Sequence, residues 1–202
     1  MACVSVHGGN RLGANSLLDT LIFGRRSGEH AAKRALGMGM PRPAHSALAA
    51  EQKVIDDILR RSSDPTRPGR RVSAIKDELG TVMNRHVAVF RDEAGLREAL
   101  EVVQRLKEEE RTAYIDDRGT VFNQDVLGAI ELGYMLDCAE AIVVAAIERK
   151  ESRGAQFRTD YPERNDDVWL KHIDLNRNGD DTPEISYSPV TITRWQPEER
   201  KY

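Results

Sequence analysis

The chain has 202 residues, with 30 Lys and Arg against 33 Asp and Glu and a formal net charge of -3. That balance excludes a strongly basic nucleic-acid surface, so nucleic acid is not expected as a partner. Cys3 and Cys138 match neither a disulfide framework nor a metal-ligand spacing, and the most apolar uninterrupted stretch, Ala141 to Ile147, is much shorter than the ~20 residues of a bilayer crossing.

Hydrophobic content of 40% with 31% charged and 5% aromatic residues predicts a mainly α fold with charged outer faces. In chain order, Val4 to Val6 alternates weakly, as the end of a strand does. His7-Gly8-Gly9-Asn10-Arg11-Leu12-Gly13 then joins three glycines and an arginine to a helix start. Backbone N–H groups and a guanidinium can converge there on one anionic ligand. A loop of this kind needs a supporting sheet upstream, and only six residues precede it, so the expectation is the C-terminal part of something larger.

Asn15 or Ser16 caps a helix to about Ala35, with Leu17, Leu18, Leu21 and Ile22 on its apolar face and Asp19 read into its first turn. Gly24 and Gly28, four apart, predict close packing against another element. Residues 37–43, rich in Gly and Pro, end this helix and mark the first boundary. Ser46 caps an amphipathic helix to about Arg61, and 62–69 reads as a loop.

Three helices follow, expected to form an antiparallel bundle. The first carries Val72, Ile75, Leu79, Val82 and Met83 at helical spacing. Asp92 caps the second, with Leu96, Leu100, Val103 and Leu106 inward and Glu98, Glu101, Arg105 and Glu108 outward. Asn123 caps the third, with Val126, Ile130, Tyr134, Cys138, Ile142 and Ala145 as its inward stripe and Gly154 past its end. The run Lys107 to Arg111 reads as a solvated face. Residues 184–193 alternate with period two and predict an edge hairpin, with a surface turn at 176–180.

The spacing of Gly8 to Gly13 is not a nucleotide phosphate loop, because Ala14-Asn15 stands where Lys-Ser/Thr would be, and it lacks the alternating glycines of the dinucleotide fingerprint. On spacing alone it stays open between an anion site and a glycine-rich connection. His7, His30, His45, His86 and His172 show no metal spacing, and no nucleophile elbow is present. The arginines of Glu151-Ser152-Arg153-Gly154-Ala155-Gln156-Phe157-Arg158 lie where a helix ends. Pairing with the helix C-terminal dipole and nearby carboxylates is favoured there over a domain-domain latch.

The run 5–19, from Ser5 to Asp19, followed by Ile22-Phe23-Gly24-Arg25, closely resembles the flavoprotein subunit of succinate dehydrogenase and fumarate reductase. Three further segments fall in that family's order: 83–91 (Met83 to Arg91), 151–158, and 160–166 leading to Trp169-Leu170-Lys171-His172. The resemblance covers essentially all 202 residues. It implies that Arg11 binds a carboxylate of a C4 dicarboxylate and that Ser16 and Leu17 contact FAD through backbone groups. The physics agrees: a helix N-terminus stabilises negative charge on a reduced flavin, and a guanidinium fork orients a carboxylate.

The resemblance further implies residues 1–40 as the remnant of an α/β FAD-binding domain, and 44–202 as a helical C-terminal domain with a three-helix bundle and a short β-hairpin tail. The implied activity is oxidation of succinate to fumarate, with electrons passed to an iron–sulfur subunit and membrane-anchor subunits completing the complex. The implied location is peripheral, on the cytoplasmic face of the cell membrane or the matrix face of a mitochondrial inner membrane. The family's dinucleotide fingerprint, flavin-attaching histidine and proton-shuttling arginine fall upstream of Met1, so no catalytic residue is expected here and the fragment alone should be inactive. Gln156 stands where relatives commonly carry His, and it cannot titrate near neutral pH. Two alternatives remain: a fragment of L-aspartate oxidase, which shares the loop and the Ser-Arg-Gly segment, and a noncatalytic helical interaction module. The wording of 12–19 and the C-terminal tail favour the dehydrogenase.

Overall fold

The computed structural model describes residues 15–40, 42, 44–61, 66, 69–177, 179, 183–194 and 196–198. The strand expected at Val4 to Val6, the glycine loop and Arg11 lie outside the described residues. So does most of the expected loop at 62–69. The architecture is mainly helical with small sheets. The helices are α1 (Asn15–Gly37), α2 (His45–Arg61), α3 (Val72–His86), α4 (Glu93–Glu110), α5 (Gln124–Glu148) and the single-turn α6 (Asp166–Trp169). The strands are β1 (Phe90–Arg91), β2 (Phe157–Arg158), β3 (Lys171–Asn176) and β4 (Glu184–Pro189). β1 pairs with β2 in parallel, and β3 pairs with β4 antiparallel, Leu175 opposite Ile185.

Two of the helix starts follow directly from local chemistry. Asp92 and Asn123 have extended backbones, and their side chains accept from the N–H groups of Gly95 and Val126, at 2.8 and 2.9 Å. Each satisfies an amide that the helix itself leaves without a partner, a contribution of about 1 kcal/mol. α3, α4 and α5 pack pairwise, and α2 leans on α5. In α3 and α4 the expected Val72, Ile75, Leu79, Val82, Leu96, Val103 and Leu106 are buried, while Met83 and Leu100 are half-buried and Ala99 takes a buried place that was not expected. The core also takes Ile58 from α2 and Ala113 and Ile115 from the α4–α5 connection, so it draws on more than three helices.

α5 departs from the expected stripe. Its buried residues are Ala129, Leu132, Leu136, Ala139, Glu140, Val143, Val144 and Ala146, whereas Tyr134, Cys138 and Ile142 are exposed. The helix is apolar nearly all round, so periodicity alone cannot choose a face. A stripe chosen to avoid charge excludes Glu140, yet Glu140 is buried because Lys107 of α4 reaches it at 2.6 Å. The same contact corrects the reading of Lys107 to Arg111 as a solvated run. Lys107 is shared with Asp137, Glu109 pairs with Arg70 and Arg105, and Glu110 pairs with Arg61.

Gly154 lies past the end of α5, as expected: the helix stops at Glu148, and Gly154 (φ 60°) sits in a tight turn closed by reciprocal backbone bonds between Arg153 and Gln156. The hairpin at the C-terminal end is present, but 184–189 pairs with 171–176 rather than with 191–193. Gly179 (φ 72°) lies in the turn between the two strands. Gly24 and Gly28 face open space, and among the described residues of α1 none is buried.

One glycine is required by a close backbone approach. Tyr114 donates to the Arg70 carbonyl and Val72 to that of Tyr114, both at 3.0 Å, which draws 69–72 against 112–114. A Cβ on Gly69 would lie 2.4 Å from the Thr112 carbonyl oxygen. Gly69→Ala is therefore expected to destabilise the chain by about 1–3 kcal/mol. Gly80→Ala, at an exposed helix position with open space around it, should stabilise by about 0.5–1 kcal/mol. Urea denaturation midpoints of the two variants should move in opposite directions.

Candidate functional site

Ser16 and Leu17 lie together in the first turn of α1. Ser16 is half-buried and Leu17 is 71% exposed. The first amides of any helix lack intrahelical acceptors and carry the positive end of its dipole. No acidic side chain occupies this first turn, and Asp19 falls just beyond it. The turn is therefore free of the carboxylate that would compete with an incoming anionic or electron-rich group. Leu17, Leu18, Leu21, Ile22 and Phe23 are all exposed, so this end of α1 combines amide donors with an uncovered apolar face. The position of Arg11 relative to them lies outside the described residues.

The second concentration of polar groups surrounds the C-terminus of α5. Arg158, on β2, is fully buried. Its Nη1 donates to the Ala146 and Ile147 carbonyls of α5 at 2.9 and 3.3 Å. Its Nε and Nη2 grip the two Asp160 oxygens at 2.7 Å each, and Nη2 also reaches Glu93, at the start of α4, at 2.9 Å. The guanidinium thus satisfies the last carbonyls of one helix and a carboxylate in the first turn of another, where each charge suits the dipole it meets. Hydrogen bonds from Arg158 hold the Asp160 carboxyl well below the ordinary 3.8, at about 2.

Glu151, also fully buried, is the complementary centre. It accepts from Arg149 at 2.7 Å, from Arg153 at 2.8 and 2.9 Å, and from the Asn165 N–H at 2.9 Å. Burial alone would raise its pKa, but these donors outweigh it and leave the carboxyl below its ordinary value. Arg149 explains where α5 stops: its guanidinium turns to the carbonyls of Trp169 and Lys171 at 2.9 and 2.8 Å and stacks over the Trp169 ring. Gln156 accepts from Arg91 through Oε1 while its Nε2 donates to the Ala146 and Arg149 carbonyls at 3.3 and 3.4 Å. A side chain that donates and accepts at once suits this position without titrating.

The favoured reading of the arginine motif is what the geometry contains: helix-dipole and carboxylate pairing inside the fold. The partners Glu93 and Asp160 escape sequence reasoning, because spacing does not say which of many carboxylates meets a given arginine. A cavity of about 460 Å³ opens between α2, the end of α4 and the middle of α5. Ser16 and Leu17 do not line it, and of the charges on its rim Arg61 pairs with Glu110 and Lys107 with Asp137. Among the described residues no group of His, Cys, Asp and Glu could hold a metal ion.

Residues 76–202 match the family model described as fumarate reductase flavoprotein C-term. The chain belongs to the fumarate reductase and succinate dehydrogenase flavoprotein family. Over 202 residues it is 43% identical to the fumarate reductase flavoprotein subunit of Haemophilus influenzae, covering all of this chain and 33% of the relative. It is 37% identical over 196 residues to the succinate dehydrogenase flavoprotein subunit of Rickettsia bellii, covering 95% of this chain and 32% of that one. A solved quinol fumarate reductase from E. coli superposes with a TM-score of 0.84 at 35% identity, over 96% of this chain and 33% of the other. The chain therefore spans about a third of the length of these relatives. Their names favour this family reading over L-aspartate oxidase.

Acid should weaken the cluster around Arg158. A carboxylate whose folded pKa is depressed stabilises the fold above its unfolded value, and that contribution is lost as pH falls through the folded one. For Asp160 the window runs from 3.8 down to about 2. Urea midpoints should fall across this range in the parent and fall less in Asp160→Asn. Arg158→Met should cost about 3–5 kcal/mol at neutral pH, because Glu93, Asp160 and two helix carbonyls are left facing a buried apolar chain.

Proposed function

We propose that this chain works as the C-terminal part of a flavoprotein subunit that oxidises succinate to fumarate, with electrons leaving to an iron–sulfur subunit and membrane-anchor subunits completing the complex. In this reading residues 1–40 are the edge of an FAD-binding domain, and 44–202 are a helical domain built on the α3, α4 and α5 bundle. The observation that carries it is α1. A 23-residue helix begins four residues after Arg11, keeps its first turn free of acidic groups, and buries none of its described residues. Such a helix is suited to being covered by structure beyond this chain, and the family's members are about three times as long.

The donor set suits a flavin edge, which gains negative charge on reduction. The amides of Ser16 and Leu17 face outward from a helix N-terminus, and the Ser16 hydroxyl adds a further donor. Bound FAD would supply the ring that accepts a hydride. Arg11 would hold one carboxylate of the substrate through its planar fork, fixing the orientation of the central C–C bond. The same groups serve fumarate reduction, the reverse reaction. No catalytic acid or base is assigned to this chain, so its share of the work is binding and orientation. A peripheral position at the cytoplasmic face of the membrane fits this reading; among the described residues no helix is long and apolar enough to cross a membrane.

Purified by itself, the chain is expected to carry no stoichiometric flavin and to oxidise no succinate; flavin absorbance co-eluting in near-equal amount would sink that expectation. In a full-length flavoprotein containing this chain, Arg11→Ala should lower kcat/KM for succinate at least about 30-fold, since truncating one partner of a buried charge pair costs about 2–5 kcal/mol. Turnover and KM equal to the parent's would remove Arg11 from the site.

A further inference from the structure

Phe122 is the non-glycine residue with positive φ among the described residues, at 52°. It is also 93% exposed, beside Val121 at 74%. A left-handed backbone disfavours a bulky side chain, and an aromatic ring in water gains nothing that compensates within this chain. The loop is nonetheless braced. The Asp117 carboxylate accepts from the Gly119 N–H at 2.8 Å, and the Asn123 amide donates to the Asp117 and Gly119 carbonyls at 2.9 and 2.8 Å. The Asp117 N–H donates to Asp125 at 3.0 Å, and Asn123 caps α5. Leu127, in the first turns of α5, is exposed as well. Strain, bracing and exposure of apolar side chains therefore coincide at one place.

We propose that Val121 and Phe122 form a preformed apolar knob that docks on the part of the flavoprotein lying outside this chain. This rests on the reading of the chain as one portion of a longer subunit. About two-thirds of the relatives' length has no counterpart here, and that length must pack against the third that is present. A seam within one polypeptide is permanent, and permanent interfaces resemble a core cut in half, apolar rather than charged. Val121, Phe122 and Leu127 carry no charge, and a tether that keeps both sides at high effective concentration removes any need for steering. A rigid knob also loses little freedom on docking.

The test compares this chain alone with a full-length chimera in which it replaces the corresponding third of the Haemophilus influenzae fumarate reductase flavoprotein subunit. Phe122→Asn keeps a residue that tolerates left-handed backbone and removes the ring. It should leave the Tm of the chain alone unchanged or raised and lower that of the chimera by several degrees, whereas Phe122→Trp should preserve both. Equal shifts in chain and chimera would overturn the inference. So would an unchanged chimera Tm with loss of co-purifying iron–sulfur subunit, since the knob would then face that subunit. A parent chimera that folds with flavin while Phe122→Asn has no effect rejects the knob alone; one that cannot fold rejects the longer-subunit reading and the knob with it.

Discussion

The buried guanidinium of Arg158 is the contact on which the arrangement of the second half of the chain depends. It meets the last carbonyls of α5, a first-turn carboxylate of α4 and Asp160 at once, so three segments distant in sequence share one charge. Burying that charge alone would be prohibitive; burying it with every donor engaged converts the cost into geometric constraint. The donors form a rigid planar fork that ties β2, which pairs in parallel with β1, to the end of α5. Glu151 repeats the device with the opposite sign, tying Arg149, Arg153 and the start of α6 to the same helix end.

The same principle operates inside the helical core. Glu140 is buried on a face otherwise made of Ala, Leu and Val, and Lys107 neutralises it. Asp137 then joins Lys107 to Arg177 in the β3–β4 connection, which ties the hairpin side of the molecule to α4 and α5. Outside these centres the packing is ordinary, with Leu106, Leu132 and Leu136 fully buried across α4 and α5. Loss of any one of these leucine side chains would cost about 2–5 kcal/mol.

The two halves of the chain contrast sharply. From residue 72 onward, α3, α4 and α5 bury a shared core, and small sheets flank it. From 15 to 61, two helices bury one residue, Ile58, and expose Leu17, Leu21, Leu36, Leu48 and Val54. Apolar surface on that scale is unusual for a solitary unit and usual for a seam. The relatives are about three times as long as this chain.

Local chemistry was legible from the sequence wherever the deciding partner is near in the chain. Asp92 and Asn123 cap helices because each meets an amide three residues away, and α3 and α4 declare their buried faces because their outward positions are charged. The family was legible too, since its motifs are local runs in a fixed order. The inward face of α5, the burial of Glu140, the partners of Arg158 and the first strand of the hairpin were decided only by tertiary structure. Each depends on which of several candidate partners, from two to 65 positions away, the fold brings into reach, and spacing does not make that choice. An apolar helix has several faces that could be buried, and only the helix packed against it, with its one compensating lysine, selects among them.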